Sequence, residues 1–412
     1  MKSKFIVTLL LLLATVLNLS GCVFSPQATN LMDGVTPQSP TFLNDVKDKN
    51  ANAYDFAVRL FKATNENDKN TLVSPLSVLC ALAMTANGAN GETRKQMETV
   101  LGMSVEELNC YLYTYMNSLE QNEKCKLSLA NSIWFQDSPN FNAKQDFLQT
   151  NANYYGADIY KTSFGKQTVD EINGWVNNKT DGMIPSLIDE IPDSALMYLI
   201  NALAFEAEWS ECYEKRDVKK GDFKKTDGTK QSVDFMYSTE YGYLNDGNAQ
   251  GFIKYYSYSS YAFVALVPNE NLSLEQYVSS LDGNRLSDLV SNVKSISVEA
   301  AIPKFEYEYS VKLSDTLKSM GMPIAFDDVN ADFSGIGTSA GNIYIDEVLH
   351  KTYIQVAEMG TKAGAATAVA VNGGSFPTEG PKRVYLDRPF VYMLIDCKNK
   401  APFLIGTVTD VA

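Results

Sequence analysis

Few residues of this chain could do chemistry, and the first to weigh is its single histidine, His350. It stands in a run where Val348, His350, Thr352, Ile354 and Val356 share one face of a strand, so it reads as a satisfied buried group rather than a catalyst or a metal ligand. Just upstream, Gly337-Thr338-Ser339-Ala340-Gly341 has the spacing of a nucleophile elbow, with Asp346 and His350 following in hydrolase order. An elbow needs a strand before its serine and a helix after it, and its acid and base come from distant loops. Here residues 343–345 read as strand and all three partners crowd into twelve residues, so the match is set aside. Six cysteines show no C-x-x-C spacing and no Cys/His cluster that suggests zinc. Phosphate-loop, H-E-x-x-H and dinucleotide fingerprints are missing as well. No metal and no cofactor is expected, and no catalytic residue.

What remains is a stretch without reactive groups. From Glu358 the chain runs EMGTKAGAATAVAV into Asn372-Gly373-Gly374-Ser375-Phe376-Pro377, with one charge in the thirteen residues after Glu358. It has no 3.6-residue apolar face and reads as a strand in waiting. In a sheet, side chains alternate between faces. One face would carry Thr361, Ala363, Ala365, Thr367, Val369 and Val371, none charged or bulky, and Lys362 would fall on the other, where it can stay in solvent. Such a segment suits a loop that inserts into a sheet.

At this point the sequence resembles the serpins, whose reactive loop begins with a hinge of the type Glu-x-Gly-Thr-x-Ala-x-Ala-Ala-Thr, matched here by residues 358–367. Residues 70–91 (NTLVSPLSVLCALAMTANGANG), 172–180 (INGWVNNKT), 199–209 (LINALAFEAEW), 302–305 (IPKF), 331–336 (ADFSGI) and 387–391 (DRPFV) also look like serpin signatures, in serpin order. The resemblance covers residues 41 to the end. It implies an α+β fold of three β-sheets with eight to nine helices and an exposed reactive loop at about residues 358–383. The hinge residues would be Glu358, Gly360, Thr361, Ala363, Ala365 and Thr367. Ser74, Ser77, Asn201 and His350 match the family's shutter, a hydrogen-bonded cluster where the central strands part. Lys304, Glu358 and Trp209 match its breach, at the top of the sheet where insertion begins. The chain departs from the family at Glu206 and Glu208, where lysine or glycine is usual, and at Met359. The implied function is inhibition of a serine protease as a suicide substrate; the alternative is a non-inhibitory binding module of the same fold. Counting seventeen residues from Glu358 places the scissile bond at Gly374-Ser375, and counting back from Pro389-Phe390 lands about four residues later, so Gly374, Ser375 and Phe376 are the candidates. Residues 371–376 are small or apolar, which favours an elastase-like or subtilisin-like target over a trypsin-like one, with chymotrypsin-like cleavage after Phe376 as the second choice.

The elements that must position these residues are partly readable. Ser74-Pro75 is a capping residue followed by Pro at the first helical position, and Leu76, Leu79, Cys80, Ala83 and Met84 give that helix an apolar face before Gly88 closes it. Thr93-x-x-Gln96 and Ser104-x-x-Glu107 read as capping boxes opening two more helices, and Thr168-x-x-Glu171 as the start of a fourth. Residues 127–135 look like strand. Residues 197–205 are apolar on both faces except for Asn201, which predicts a central strand with a buried amide in need of a partner. Residues 242–267 read as further strands, 274–290 as helical, and 384–395 with 403–408 as a closing strand pair. Strands and helices mix without strict alternation, as in α+β folds.

Hydrophobic residues at 45% support a sizeable core. The net charge of −14 argues against nucleic acid or anionic lipid as a partner. Lys2 and Lys4 precede an apolar run over residues 5–16, too short to span a bilayer. Residues 1–21 are therefore expected to be a signal peptide. Leu19-Ser20-Gly21-Cys22 resembles a bacterial lipobox, so Cys22 is the expected lipidation site and the only route to a membrane. Residues 22–40 would then be a lipidated cysteine and flexible tether, with a single, monomeric domain over 41–412 exported to the cell surface; the alternative is ordinary signal cleavage nearby, with Cys22 free and the protein secreted. A Cys110–Cys125 disulfide stays open as an option.

Overall fold

A twelve-residue run that is apolar on both faces must be covered from both sides, and Met197–Glu208 accordingly forms β6, the middle strand of a seven-stranded sheet. The computed structural model describes residues 28–43, 46–138, 140–192, 195–361 and 380–411. Across the central sheet lie β1 (Thr29–Asn30), β5 (Asp158–Thr162), β3 (Cys125–Gln136), β6, β16 (Gly360–Thr361), β15 (Glu347–Ala357) and β13 (Phe305–Lys312). A six-stranded sheet runs β2 (Thr71–Val73), β19 (Ala401–Val408), β18 (Phe390–Asp396), β11 (Tyr261–Pro268), β10 (Ala249–Tyr255) and β9 (Gly242–Asn245). A four-stranded sheet runs β17 (Lys382–Tyr385), β12 (Val298–Pro303), β8 (Lys230–Glu240) and β7 (Val218–Lys224), and β14 (Gly337–Thr338) pairs with β4 (Asn142–Ala143). Nine α-helices complete the described residues: α1 (Lys47–Thr64), α2 (Pro75–Ala86), α3 (Gly91–Leu101), α4 (Val105–Ser118), α5 (Gln145–Tyr155), α6 (Lys166–Lys179), α7 (Leu274–Ser280), α8 (Gly283–Ser291) and α9 (Ser314–Met320). The architecture is the α+β arrangement of three main sheets that the sequence implied.

The two faces of β6 divide the interior. Leu199, Leu203 and Phe205 join the main core with Phe263 of β11 and Tyr392 of β18. Tyr198, Ile200 and Ala202, on the other face, pack with Ile172 and Val176 of α6. Helix α2 begins as its residues dictate: Ser74 Oγ accepts from Ser77 N at 3.1 Å and Pro75 occupies the first turn. The Ser104/Glu107 capping box of α4 is formed in full.

Other local expectations fail for identifiable reasons. Thr93 and Gln96 do not cap α3, which starts after Asn90; their side chains accept instead from Asp332 N (2.9 Å) and Ile324 N (3.2 Å), tying the helix to a distant loop. Helix α6 begins before Thr168, whose hydroxyl turns back to Ser163 O at 2.8 Å. Residues 274–290 break into two helices at Leu281-Asp282, where Asp282 caps α8. Val384 belongs to β17 of the four-stranded sheet, so the closing pair is β18 with β19 only. Residues 343–345 lie in no strand. Cys110 and Cys125 are both free thiols.

The expected tether is shorter than its composition implies. Ala28 N donates to Glu171 Oε2 at 3.2 Å, β1 pairs antiparallel with β5, and Gln38 N donates to Asn153 Oδ1 at 2.7 Å. A segment rich in Pro, Ser, Thr and Asn has little to bury, but its backbone groups still serve to cover an open sheet edge.

Candidate functional site

The central sheet carries a slot. Strands β6 and β15 run parallel and pair directly from Tyr198–Glu347 up to Leu203–Thr352, where direct pairing ends. Among the described residues, two stand in the gap between them at the top: Gly360 lies opposite Glu208 and Ala357, and Thr361 opposite Ala207 and Val356, antiparallel to both neighbours. The hinge therefore already occupies the head of the slot. Thr361 is 1% exposed, and its hydroxyl meets that of Tyr256 at 2.6 Å. Gly360 has φ of +150°, and a Cβ there would stand 2.0 Å from Ala207 O, so a side chain would push the hinge out.

Around this entry lie the residues assigned to the breach, Lys304, Glu358 and Trp209. Lys304 Nζ meets Glu358 Oε1 at 2.8 Å. Partial burial, the largest single effect, opposes ionisation of Glu358, but the hydrogen bond and charge of Lys304 together with a backbone hydrogen bond hold the carboxyl below its ordinary range. Both partners are about a third exposed, which limits the pair to about 1 kcal/mol. Trp209 is buried; its Nε1 donates to Ala357 O and its backbone N to Met359 O, both at 2.9 Å. Glu208, a departure from the family pattern, is paired with Lys124 at 2.9 Å across β6 and the Asn122–Cys125 turn. Cys212 Sγ donates to Met359 O at 3.6 Å.

Lower in the sheet, at the last pairs before the slot, the shutter residues converge. Ser74, Ser77 and Asn201 are fully buried and His350 is 1% exposed. Ser74 N donates to His350 Nε2 at 3.0 Å, which makes Nε2 an acceptor and leaves the ring proton on Nδ1. Nδ1 then donates to Asn201 Oδ1, and Asn201 Nδ2 to Asn131 Oδ1 at 2.5 Å. Ser77 Oγ reaches the same Asn131 oxygen at 3.4 Å. The backbone amide of Ser74 thus fixes the direction of the chain through His350 to Asn201, while the Asn131 amide, turned the other way, would donate to Ala130 O and Ser77 O, each at 3.2 Å. Burial pushes the His350 pKa down to about 3, in keeping with a neutral ring. Asp346 is spent on Leu196 N (2.6 Å) and Met197 N (2.8 Å), and no helix follows Ser339, so no hydrolase triad forms.

Two participants were missed. Asn131 lies directly opposite Asn201 in the β3–β6 register; a second asparagine inside a strand-like run was the available signal. Tyr256 gave none, since it is one of four tyrosines among residues 255–261. Of the remaining expected site residues, Ala363, Ala365, Thr367, Gly374, Ser375, Phe376 and Cys22 lie outside the described residues, as does the signal segment.

The family model described as Serpin (serine protease inhibitor) matches residues 51–411. A leukocyte elastase inhibitor of Xenopus tropicalis is 30% identical over 330 residues, covering 76% of this chain and 87% of its own length. Among solved structures, a thermophilic serpin, tengpin, in its native state is 47% identical and superposes with a TM-score of 0.89 over 93% of this chain and 100% of its own. The same protein in its latent state, at 45% identity, superposes with a TM-score of 0.80 over 90% of this chain and 100% of its own. The present arrangement is thus nearer the native form.

Proposed function

The chain belongs to the serpin family, and from that premise we propose that it traps a serine protease as a suicide substrate by inserting its cleaved reactive loop into the slot between β6 and β15. The observation that supports this reading is the seating of Gly360 and Thr361 at the head of that slot. The protease serine attacks the carbonyl before the scissile bond, the new amine leaves with a proton, and an ester joins the two proteins. The freed hinge then continues down the slot. Carrying on the register of Thr361 brings Ala363 opposite Phe205 and Ile354, Ala365 opposite Leu203 and Thr352, and Thr367 opposite Asn201 and His350. The hydroxyl of Thr367 would meet the shutter as its own cross-strand bonds part, so the polar groups exchange partners rather than being orphaned. Lys362 would fall opposite Glu206 and Gln355 on the outer face, where an ion pair contributes at most about 1 kcal/mol.

Specificity follows from what the loop offers. Lys382 and Arg383, the nearest cations, are held in β17 beside β12, with Arg383 on Glu299 at 3.1 Å. The two cations that follow the candidate bonds are thus tied to a sheet, whereas residues 371–376 suit elastase-like or subtilisin-like enzymes, with chymotrypsin-like cleavage after Phe376 second. Inhibition of an elastase is expected to be faster than that of trypsin by at least about a hundredfold, a difference of about 3 kcal/mol in transition-state binding. Mass spectrometry of the released C-terminal peptide locates the cut. Rapid inhibition of trypsin with a peptide starting after Lys382 or Arg383 would refute this assignment.

We also propose that the protein is exported and held at the cell surface by lipid on Cys22. With Ala28 already hydrogen-bonded to Glu171, only residues 23–27 separate the lipid from the fold, a reach of about 20 Å. The β1–β5 edge of the sheet would then face the membrane. Cys22→Ser is expected to move the protein from the membrane pellet to the soluble fraction; equal fractionation of both forms would exclude the anchor.

A further inference from the structure

The turn that follows β6 grips the hinge by its backbone. Trp209 N donates to Met359 O at 2.9 Å and Tyr213 N to Glu358 O at 3.0 Å. Both aromatic rings of this turn rest on one buried cation. Lys254, on β10, has a side chain only 2% exposed. Its Nζ lies 4.5 Å from the centroid of Tyr213 and 5.4 Å from that of Trp209. On β8, Glu240 Oε1 accepts from Nζ at 2.9 Å and from Ser238 Oγ at 2.7 Å. The Tyr213 hydroxyl closes the group at 3.3 Å from Ser238 Oγ. One ammonium thus joins the six-stranded sheet, the four-stranded sheet and the turn that carries the hinge.

A buried ion pair is a poor device for stability, since apolar residues of similar volume usually serve as well or better. A cation does add orientation: it attracts the faces of aromatic rings and fixes how they sit. The Trp209 ring, so placed, stacks on Tyr256 with centroids 4.3 Å apart and planes at 11°. Tyr256 in turn meets the Thr361 hydroxyl at 2.6 Å. Contact therefore runs without a break from Lys254 through Trp209 and Tyr256 to the first buried side chain of the hinge.

We propose that Lys254, paired with Glu240, is a positioning residue for loop insertion: it holds the turn at residues 209–213 so that Gly360 and Thr361 stay seated in the sheet before cleavage. The consequence for trapping rests on the inhibitory reading, but the seating itself belongs to the uncleaved protein. Hydrogen exchange of the intact chain, followed by mass spectrometry of the peptide containing residues 358–361, reads it without a protease. Lys254→Met alone strands Glu240 and could unfold the protein, so the informative variant is the double change Lys254→Met with Glu240→Gln, which removes both charges. In that variant the hinge peptide is expected to exchange at least tenfold faster than in the wild type, while peptides from β3 and from the lower half of β6 keep their rates. Lys254→Arg, which keeps the cation, is expected to retain most of the protection. Wild-type hinge rates in the double variant, an equal loss in Lys254→Arg, or a uniform rise through β6, β8 and β10 would each overturn the proposal. A hinge that loosens as expected in a chain that traps no protease would instead leave this proposal standing and remove the inhibitory reading.

Discussion

If the loop traps proteases as proposed, Thr361→Arg is expected to turn the protein from an inhibitor into a substrate. Thr361 sits 1% exposed between Ala207 and Val356, with its hydroxyl on Tyr256. Among the described residues, none of those bonded to it there is an anion that could pair with a guanidinium. Burying an unpaired cation costs about 3–5 kcal/mol, and even 3 kcal/mol in the insertion step slows it about a hundredfold. The arginine would keep the hinge out of the slot before cleavage and delay its entry afterwards, giving water time to hydrolyse the acyl-enzyme. Cleavage should occur at the same bond, with active protease released and most inhibitor molecules consumed per trap formed. Lys362→Ala, on the outer face, is expected to change the stoichiometry little. Undiminished trapping by Thr361→Arg would show that the loop does not insert in this register.

Acidification is expected to weaken the closed sheet through His350. Its pKa falls from an ordinary 6.5 to about 3 because the ring is buried. Between those values the unfolded chain binds a proton that the native chain refuses. The native state therefore keeps its full stability above pH 6.5 and loses it progressively as pH falls toward 3. Each pH unit in that window amounts to about 1.4 kcal/mol, so moving from pH 7 to pH 4 costs about 3 kcal/mol. Protonation also has a structural meaning, because a protonated Nε2 can no longer accept from Ser74 N and the shutter loses one of its bonds. Urea titration of the first unfolding transition at pH 7 and pH 4, in the wild type and in His350→Gln, isolates this term from other titrating groups. The wild type should lose about 3 kcal/mol more than the variant. Superimposable pH profiles would mean that His350 is not held neutral.

What the sequence disclosed and what it hid divide along a physical line. Of the face proposed to insert, only Thr361 lies among the described residues, and it is buried as a period of two assigns it; that period needs no knowledge of neighbours. The central strand was legible because only a strand covered on both sides can be apolar on both, and Asn201 stood out there as an amide that needs a partner. Of its two partners, His350 was grouped with it by resemblance, while Asn131 required the β3–β6 register, which no local pattern encodes. Tyr256 and Lys254 were out of reach for the same reason, since their contacts join different sheets. Capping signals were reliable only where the side chain had no better offer: Ser104 and Glu107 close their box, while Thr93 and Gln96, at the same spacing, bond to the backbone of residues more than 200 positions away. The strand-like triplet at 343–345 shows the converse: it lies in no strand, and Ile345 N donates to Ala325 O at 3.0 Å instead. The N-terminal segment showed that low-complexity composition limits what a stretch can bury, but not whether its backbone finds an edge to pair with.

The central claim is that cleavage of the loop leads to capture rather than turnover, and denaturing electrophoresis of the protein mixed with an elastase at equal concentration tests it most directly. The expected result is an SDS-stable band equal in mass to the protease plus the chain up to the cleavage site, together with a released C-terminal peptide beginning within or just after residues 375–377. Complete conversion to cleaved chain, with full protease activity and no covalent band for elastase, subtilisin or chymotrypsin, would contradict it.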